Sequence, residues 1–494
     1  MYRTDRWNAN RTSYVAAGRQ VTARWAVTCT MAALLSAAAG CRTAPRTGGV
    51  DHSIVHGYVA PGFEEVRGAF AENFARRGEV GAACAAYYRG ELVVDLWGGV
   101  RDQSTGDAWT ADTMVMVFSA TKGICGLALA LAHSRGWLDY DAPVARYWPE
   151  FAAHGKGTIS VRQLLAHQAG LCAIDERLDW GKIADGSAVA RIAAAQRPLW
   201  PPGSRHGYHA LSLGWYEAEL IRRVDPQHRS IGRFVREELA GPLEVEFHVG
   251  LPDSVDRSRV ANVIPFDIWD VFRHLDIVPP EFAWSMLWPH TIPRRALTNP
   301  RVNSLADFDT PEYRAVEFPA ANGIGTARAI AAMYGAFANG GHAYPAPGGI
   351  ARQPGEPMLD AGEASAPARP PGDPSPRALG PHAVSLGIRR DTLAELAAAA
   401  KVPPKGAKDV VLKVDTLYSL GFMKSTSTFR FSDDSSAYGA AGAGGSLGFA
   451  DPSRRLGFAY VLNRTRVGIG IDPRAAAARD AVFRCIERLD RTER

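Results

Sequence analysis

Ser119 and Lys122 stand three residues apart in the run Phe118-Ser-Ala-Thr-Lys122, at the head of an apolar segment that continues through Ile124, Leu127 and Leu129. Residues three apart share a helix face, so the lysine amine can reach the serine hydroxyl. At a helix N-terminus that oxygen meets the positive end of the helix dipole, which favours its alkoxide character. A lysine among apolar side chains is desolvated and its pKa falls, which makes it a usable base. This is the chemistry of a nucleophile and its base. The same residues also read as a helix-capping serine followed by a lysine whose stem lies along apolar surface. Lysine is scarce (8 of 56 basic residues), and with the apolar setting this tilts the pair toward chemistry.

The elements that must hold this pair follow from periodicity. Phe63, Val66, Phe70 and Phe74 recur at helical spacing, which predicts a helix over 62–77. Ala82 to Tyr88 and Leu92 to Trp97, split by Arg89-Gly90, predict a hairpin. From Phe118 to about residue 350 the pattern is mostly helical, with Thr326 as N-cap of a helix Ala327–Ala338 that stops at Asn339-Gly-Gly341. Residues 344–381 hold ten prolines and no sustained apolar period, which marks a surface insertion. A short helix near 391–400 precedes strand-like runs near 411–423, 428–432 and 446–463, the last with a turn at Asp451-Pro-Ser453. A helix over 474–490 closes the chain. Strands at both ends around a helical middle define an α+β fold whose sheet is built from both termini.

At Ser119-x-x-Lys122 the chain resembles the serine β-lactamase-like superfamily, in particular its class C-like and family VIII carboxylesterase branch. The likeness covers nearly the whole of the chain after its leader. It extends through Thr158-Ile-Ser-Val-Arg-Gln-Leu-Leu-Ala-His-Gln-Ala-Gly-Leu171 and Pro202-Gly-Ser-Arg-His-Gly-Tyr-His-Ala-Leu-Ser-Leu-Gly-Trp215. Ala321-Asn-Gly-Ile-Gly-Thr-Ala327 and Gly442-Ala-Gly-Gly-Ser-Leu-Gly-Phe-Ala-Asp-Pro452 complete it. The resemblance implies a β-lactamase/transpeptidase-like fold: an antiparallel sheet flanked by helices, with a mostly helical middle subdomain. It implies that Ser119 is acylated, that Lys122 is its base and that Tyr208 relays the proton. A tyrosinate beside a lysine ammonium is a second way to take the serine proton. The oxyanion hole would be the amides of Ser119 and Ala443.

Two departures shape the expected substrate. The second motif often reads Tyr-x-Asn and here is Tyr208-His-Ala210; the third is usually Lys-x-Gly or His-x-Gly and here is Ala440-Ala-Gly442. The amide that binds a β-lactam side chain and the cation that attracts its carboxylate are both missing. A neutral small-molecule ester is the favoured substrate. β-Lactam or D-amino-acid peptide amides, and a non-catalytic envelope-binding role, are the alternatives.

Rival sites carry less. Gly444-Gly-Ser446-Leu-Gly448 matches a nucleophile elbow, but strand-like sequence follows it and the last histidine is His382, upstream of it. Gly323-Ile-Gly325 lacks the third glycine of a dinucleotide fingerprint. His167 reads as a structural helix-terminal residue, and His206 and His209 have no third ligand nearby. No metal or cofactor is expected. The aromatics Phe266, Trp269, Phe272, Phe282, Trp284 and Trp288 suit an acyl or alcohol pocket and suit ordinary packing equally.

The leader accounts for the basic balance. Residues 1–24 hold Arg3, Arg6, Arg11, Arg19 and Arg24 against Asp5, followed by an uncharged stretch to Gly40. This predicts a secretory signal over 1–40, with Ala38-Ala-Gly-Cys41 resembling a bacterial lipobox in which Cys41 is lipidated. A tether over 41–61 and one hydrolase domain over 62–494 complete the expected organisation. The protein is then exported and held at the outer face of the bacterial cell membrane. Most of the formal charge of +5 belongs to the leader, so no nucleic-acid partner is expected. Cys84, Cys125, Cys172 and Cys485 are widely spaced in apolar surroundings and read as buried free thiols.

Overall fold

The computed structural model describes residues 52–266, 277–302, 304–344 and 383–493. The expected signal over 1–40, the lipidation residue Cys41 and nearly all of the Pro-rich insertion over 344–381 lie outside them.

All eight residues of Gly81–Tyr88 are buried, because this strand is covered on both faces. Seven strands run antiparallel in one sheet: β1 (Val55–Val59), β2 (Gly81–Tyr88), β3 (Glu91–Asp102), β4 (Met423–Lys424), β5 (Tyr438–Ala441), β6 (Leu447–Asp451) and β7 (Leu456–Leu462). Their spatial order is β1-β3-β2-β7-β6-β5-β4, with a short eighth strand, Asp107–Ala108, on β3. The ladder between β2 and β7, from Ala82–Leu462 to Tyr88–Leu456, joins the two ends of the chain. The expected α+β sheet from both termini is the observed one.

Alternate residues of β2 feed two cores. Ala82, Cys84, Ala86 and Tyr88 pack with α1 (Glu64–Arg76) and α5 (Pro473–Thr492). Ala83, Ala85 and Tyr87 face α2 (Ala120–Ser134) and α4 (Ala327–Ala338). Helix α4 lies so close to β7 that a Cβ on Gly457 would fall 2.1 Å from Gly335 N. The middle of the chain is helical, α3 (Ser212–Val224) packing on α2. A three-stranded sheet of Val115–Met116, Gly323–Gly325 and Phe247–Val249 leads into the start of α2. Thr326 caps α4 through the Ala329 amide, and Cys84, Cys125, Cys172 and Cys485 are buried and free, both as expected.

Three expectations are corrected. Residues 55–59 are not tether: they form β1, pairing Val55 with Gly98 through Val59 with Val94 along the open edge of β3. The run 411–423 is a strand only at its end, Met423. Its apolar residues fold as a turn whose Val411 and Leu412 amides are held by the buried Asp409 carboxylate. In 428–432 Phe429 and Phe431 are buried, but their amides donate to Thr426 and Ser425 hydroxyls rather than to a ladder.

Candidate active site

Chain direction reverses sharply before the nucleophile position. Phe118 takes φ 47°, a strained value for a bulky residue, and this delivers Ser119 to the N-cap position of α2. Thr121 Oγ1 donates to Phe118 O at 2.5 Å and accepts from the Gly323 amide at 2.8 Å, pinning the turn to the small sheet. Neither alternative reading of the motif survives. The Ser119 side chain makes no capping bond, and Lys122 is 2% exposed rather than lying along the surface. Lys122 Nζ lies 3.0 Å from Ser119 Oγ and donates to Ala320 O at 2.7 Å. Burial lowers its pKa to about 7, against a smaller upward pull from the Glu217 carboxylate.

Tyr208 lies beside the same hydroxyl, and Lys122 Nζ lies 5.1 Å from its ring centroid. Burial pushes the Tyr208 phenol well above its ordinary value. A tyrosinate is therefore the costly form and a neutral lysine the accessible one.

His167 clamps Tyr208 from both sides. Its carbonyl accepts the Gly207 amide at 3.0 Å and its Nδ1 accepts the His209 amide at 2.9 Å. The ring, 5.1 Å from that of Tyr208, is held neutral by burial. His167→Ala leaves the buried His209 amide unpaired, which costs about 1–3 kcal/mol. The Tyr208 hydroxyl loses its registration at the same time. Thermal melting should fall accordingly, and kcat for an ester should drop about tenfold or more with KM little changed. His206 Nε2 pairs with Ala407 O and Thr416 Oγ1, while His209 uses both nitrogens on the Gly207 carbonyl and the Leu171 amide. Both rings hold main-chain groups in place.

The third motif comes from β5 and the turn after it. A Cβ on Gly442 would fall 2.1 Å from Val117 O and 3.4 Å from Ala120 N, so only glycine lets this backbone lie along the Ser119 turn. The Gly442–Gly445 turn closes through Gly445 N–H to Gly442 O, with Gly444 O held by Arg474, itself buried on Glu79 and Asp472. Among the described residues neither the Ser119 nor the Ala443 amide has an acceptor. Both amides are therefore unengaged donors among the described residues. Ala440 is buried against Gly123, and Ala210 is buried too, so neither supplies a polar group. Ser446 precedes strand β6 rather than a helix, which rules out the elbow.

Two partners escape sequence reasoning. Ala320 O is a backbone acceptor and leaves no residue signature. Glu217 interrupts the apolar stripe Leu213, Leu220, Ile221 of α3, a signal that was available. The aromatics near 250–310 divide: Trp284 and Trp288 are 63% and 53% exposed and do not build a core, while Trp269 and Phe272 lie outside the described residues.

The family model for beta-lactamase matches residues 66–481. The chain belongs to the beta-lactamase family. A solved family VIII carboxylesterase superposes with a TM-score of 0.70 at 32% identity, covering 87% of this chain and 99% of that one. EstA from Arthrobacter nitroguajacolicus Rue61a gives 0.69 at 28% identity, covering 87% and 98%. Esterase/beta-lactamase LipL from Mycobacterium tuberculosis is 37% identical over 300 residues, which is 58% of this chain and 65% of LipL, just under two thirds of that relative's length.

Proposed function

We propose that the protein is a serine esterase acting on neutral, small or lipid-like esters through an acyl-enzyme. One observation carries this: the Ser119 hydroxyl lies within hydrogen-bond reach of a buried Lys122 amine whose pKa is about 7. Ser119 Oγ attacks the ester carbonyl while its proton passes to Lys122. The oxyanion forms against the Ser119 and Ala443 amides. Collapse breaks the bond to the alkoxide, which leaves as an alcohol with the proton relayed from Lys122 through the Tyr208 hydroxyl. Water then attacks the acyl-enzyme, Lys122 taking its proton, and the carboxylic acid is released as Ser119 regains its own. The absence of a cation at Ala440 and an amide at Ala210 supports esters over β-lactams, and the carboxylesterase relatives point the same way. The basic leader and Cys41 support export and lipid anchoring at the outer face of the cell membrane.

The test is a substrate comparison on the full chain. p-Nitrophenyl acetate or butyrate should be hydrolysed with kcat/KM about a hundredfold or more above that for nitrocefin or a D-amino-acid amide. The reverse order would assign the site to amide chemistry, and turnover of none of them would assign it to binding.

A further inference from the structure

Asn322, in the motif Ala321-Asn-Gly-Ile-Gly-Thr-Ala327, is 1% exposed and turns its amide on the loop before it. Oδ1 accepts the Phe318 amide at 2.9 Å, while Nδ2 donates to Tyr313 O at 3.0 Å and to Val316 O. The two carbonyls belong to the end of the short helix Pro311–Ala315 and its cap, where main-chain acceptors lack helical donors. The task needs one acceptor and two donors on a short stem, which only asparagine supplies. Aspartate has the shape without the donors.

That loop presents an acceptor to the base. Phe318 O takes the Ala321 and Asn322 amides at 2.9 and 3.0 Å, and the turn so formed delivers Ala320 O to Lys122 Nζ at 2.7 Å. A Cβ on Gly214 would fall 2.3 Å from Ala320 N, so α3 backs the turn closely. Beyond Asn322 the chain enters the small sheet. There Gly323 donates to Thr121 Oγ1 and accepts the Val117 amide, beside the Ser119 turn. A neutral lysine amine carries two N–H groups and one lone pair. With an N–H held by Ala320 O, the lone pair can face the Ser119 hydroxyl 3.0 Å away. Once the amine is protonated, its bond to Ala320 O is charge-assisted and stronger.

We propose that Asn322 is a positioning residue for the base: by clamping the loop from Tyr313 to Phe318 it holds Ala320 O where that carbonyl orients the Lys122 amine toward Ser119. This rests on the reading of Lys122 as the base for Ser119. The titratable groups facing Lys122 are Cys125 from α2, Glu217 from α3, and Tyr208 and His167 from the loops. Burial favours the neutral form of each. Ala320 O is therefore the fixed acceptor that the ammonium meets besides the Ser119 hydroxyl. Asn322→Ala strips the Phe318 amide, Tyr313 O and Val316 O of their partner and frees the turn. Phe318 remains stacked on Trp215 of α3, ring centroids 5.4 Å apart, which keeps the loop on the domain.

The experiment measures kcat and KM for p-nitrophenyl butyrate from about pH 5 to 10, with thermal melting, on the full chain and on Asn322→Ala, Asn322→Gly and Asn322→Asp. The Gly variant leaves most room for water to pair the stripped groups. In each variant kcat should fall about tenfold or more while KM stays within about twofold. The rising limb of kcat/KM should move about half a pH unit lower, because the ammonium loses its acceptor. Asp, which sets carboxylate oxygens against two carbonyls, should lose at least as much as Ala despite matching Asn in shape. Lower melting with kcat and limb at wild-type values would make Asn322 a structural clamp and overturn the proposal. An unmoved limb, a loss confined to KM, or failure of all three variants to fold overturns it too. Lys122→Met tests the underlying reading separately: hydrolysis that survives it sinks Lys122 as base. Lys122-dependent hydrolysis with an unmoved limb in the Asn322 variants sinks the role of Asn322 alone.

Discussion

Ser119→Ala should lower ester hydrolysis on the order of 10⁴-fold or more and abolish covalent labelling by a fluorophosphonate. On the proposed mechanism the amides of Ser119 and Ala443 remain to polarise the ester carbonyl in this variant. What disappears is the one hydroxyl among the described residues that the Lys122 amine touches, at 3.0 Å. The loss is one of chemistry rather than of structure. The Ser119 side chain caps nothing, and the turn is held instead by Thr121 on Phe118 O and the Gly323 amide. The melting curve should therefore stay within the range of a surface substitution, about 0.5 kcal/mol. Ser446→Ala makes the matched control. Ser446 heads a strand beside the third motif, and its backbone carbonyl, which the substitution keeps, accepts the Gly442 amide. Labelling and turnover should survive. Loss of labelling in Ser446→Ala with retention in Ser119→Ala would place the nucleophile at the wrong end of the site.

Why the Ser119–Lys122 pair was legible and its surroundings were not has a physical answer. Ser119 and Lys122 are neighbours within one helical turn, so their spacing carries their geometry. Tyr208 and Gly442 reach the same point from distant segments, and only the order of motifs along the chain announces them. Ala320 O, which accepts a bond from Lys122, depends on the path of a loop, and any residue type supplies a carbonyl. Helices with a clean apolar stripe, such as Glu64–Arg76 and Ala327–Ala338, fell where periodicity put them. Apolar runs without ladder partners misled: Val411, Leu412, Phe429 and Phe431 are buried in loops stabilised by side-chain acceptors. Burial alone does not distinguish a strand from such a loop. Edge strand β1 was missed for the converse reason, being short and only partly buried.

Lys122→Arg should lower kcat/KM for esters about 10³-fold and remove the recovery of activity with rising pH. In the wild-type chain burial holds the Lys122 pKa at about 7, well below the ordinary lysine value. The amine is therefore protonated and idle in acid, and becomes a free base as pH rises through about 7. Activity should climb along that limb and level off above it. Arginine preserves the positive charge but cannot release it at any working pH, so the variant should be slow throughout and flat where the wild type rises. Lys122→Met separates base from charge: it buries cleanly and removes the cation, yet offers nothing to accept the Ser119 proton. Both variants should lose activity alike. That equality is the decisive outcome, because a lysine acting only as a local positive charge would be replaced well by arginine and poorly by methionine. The Tyr208 phenol, pushed well above its ordinary value by burial, cannot take over the role near neutral pH. Tyr208→Phe should accordingly slow the reaction without displacing the limb that Lys122 sets. A limb that moved with Tyr208→Phe and ignored Lys122 would transfer the base to the phenol.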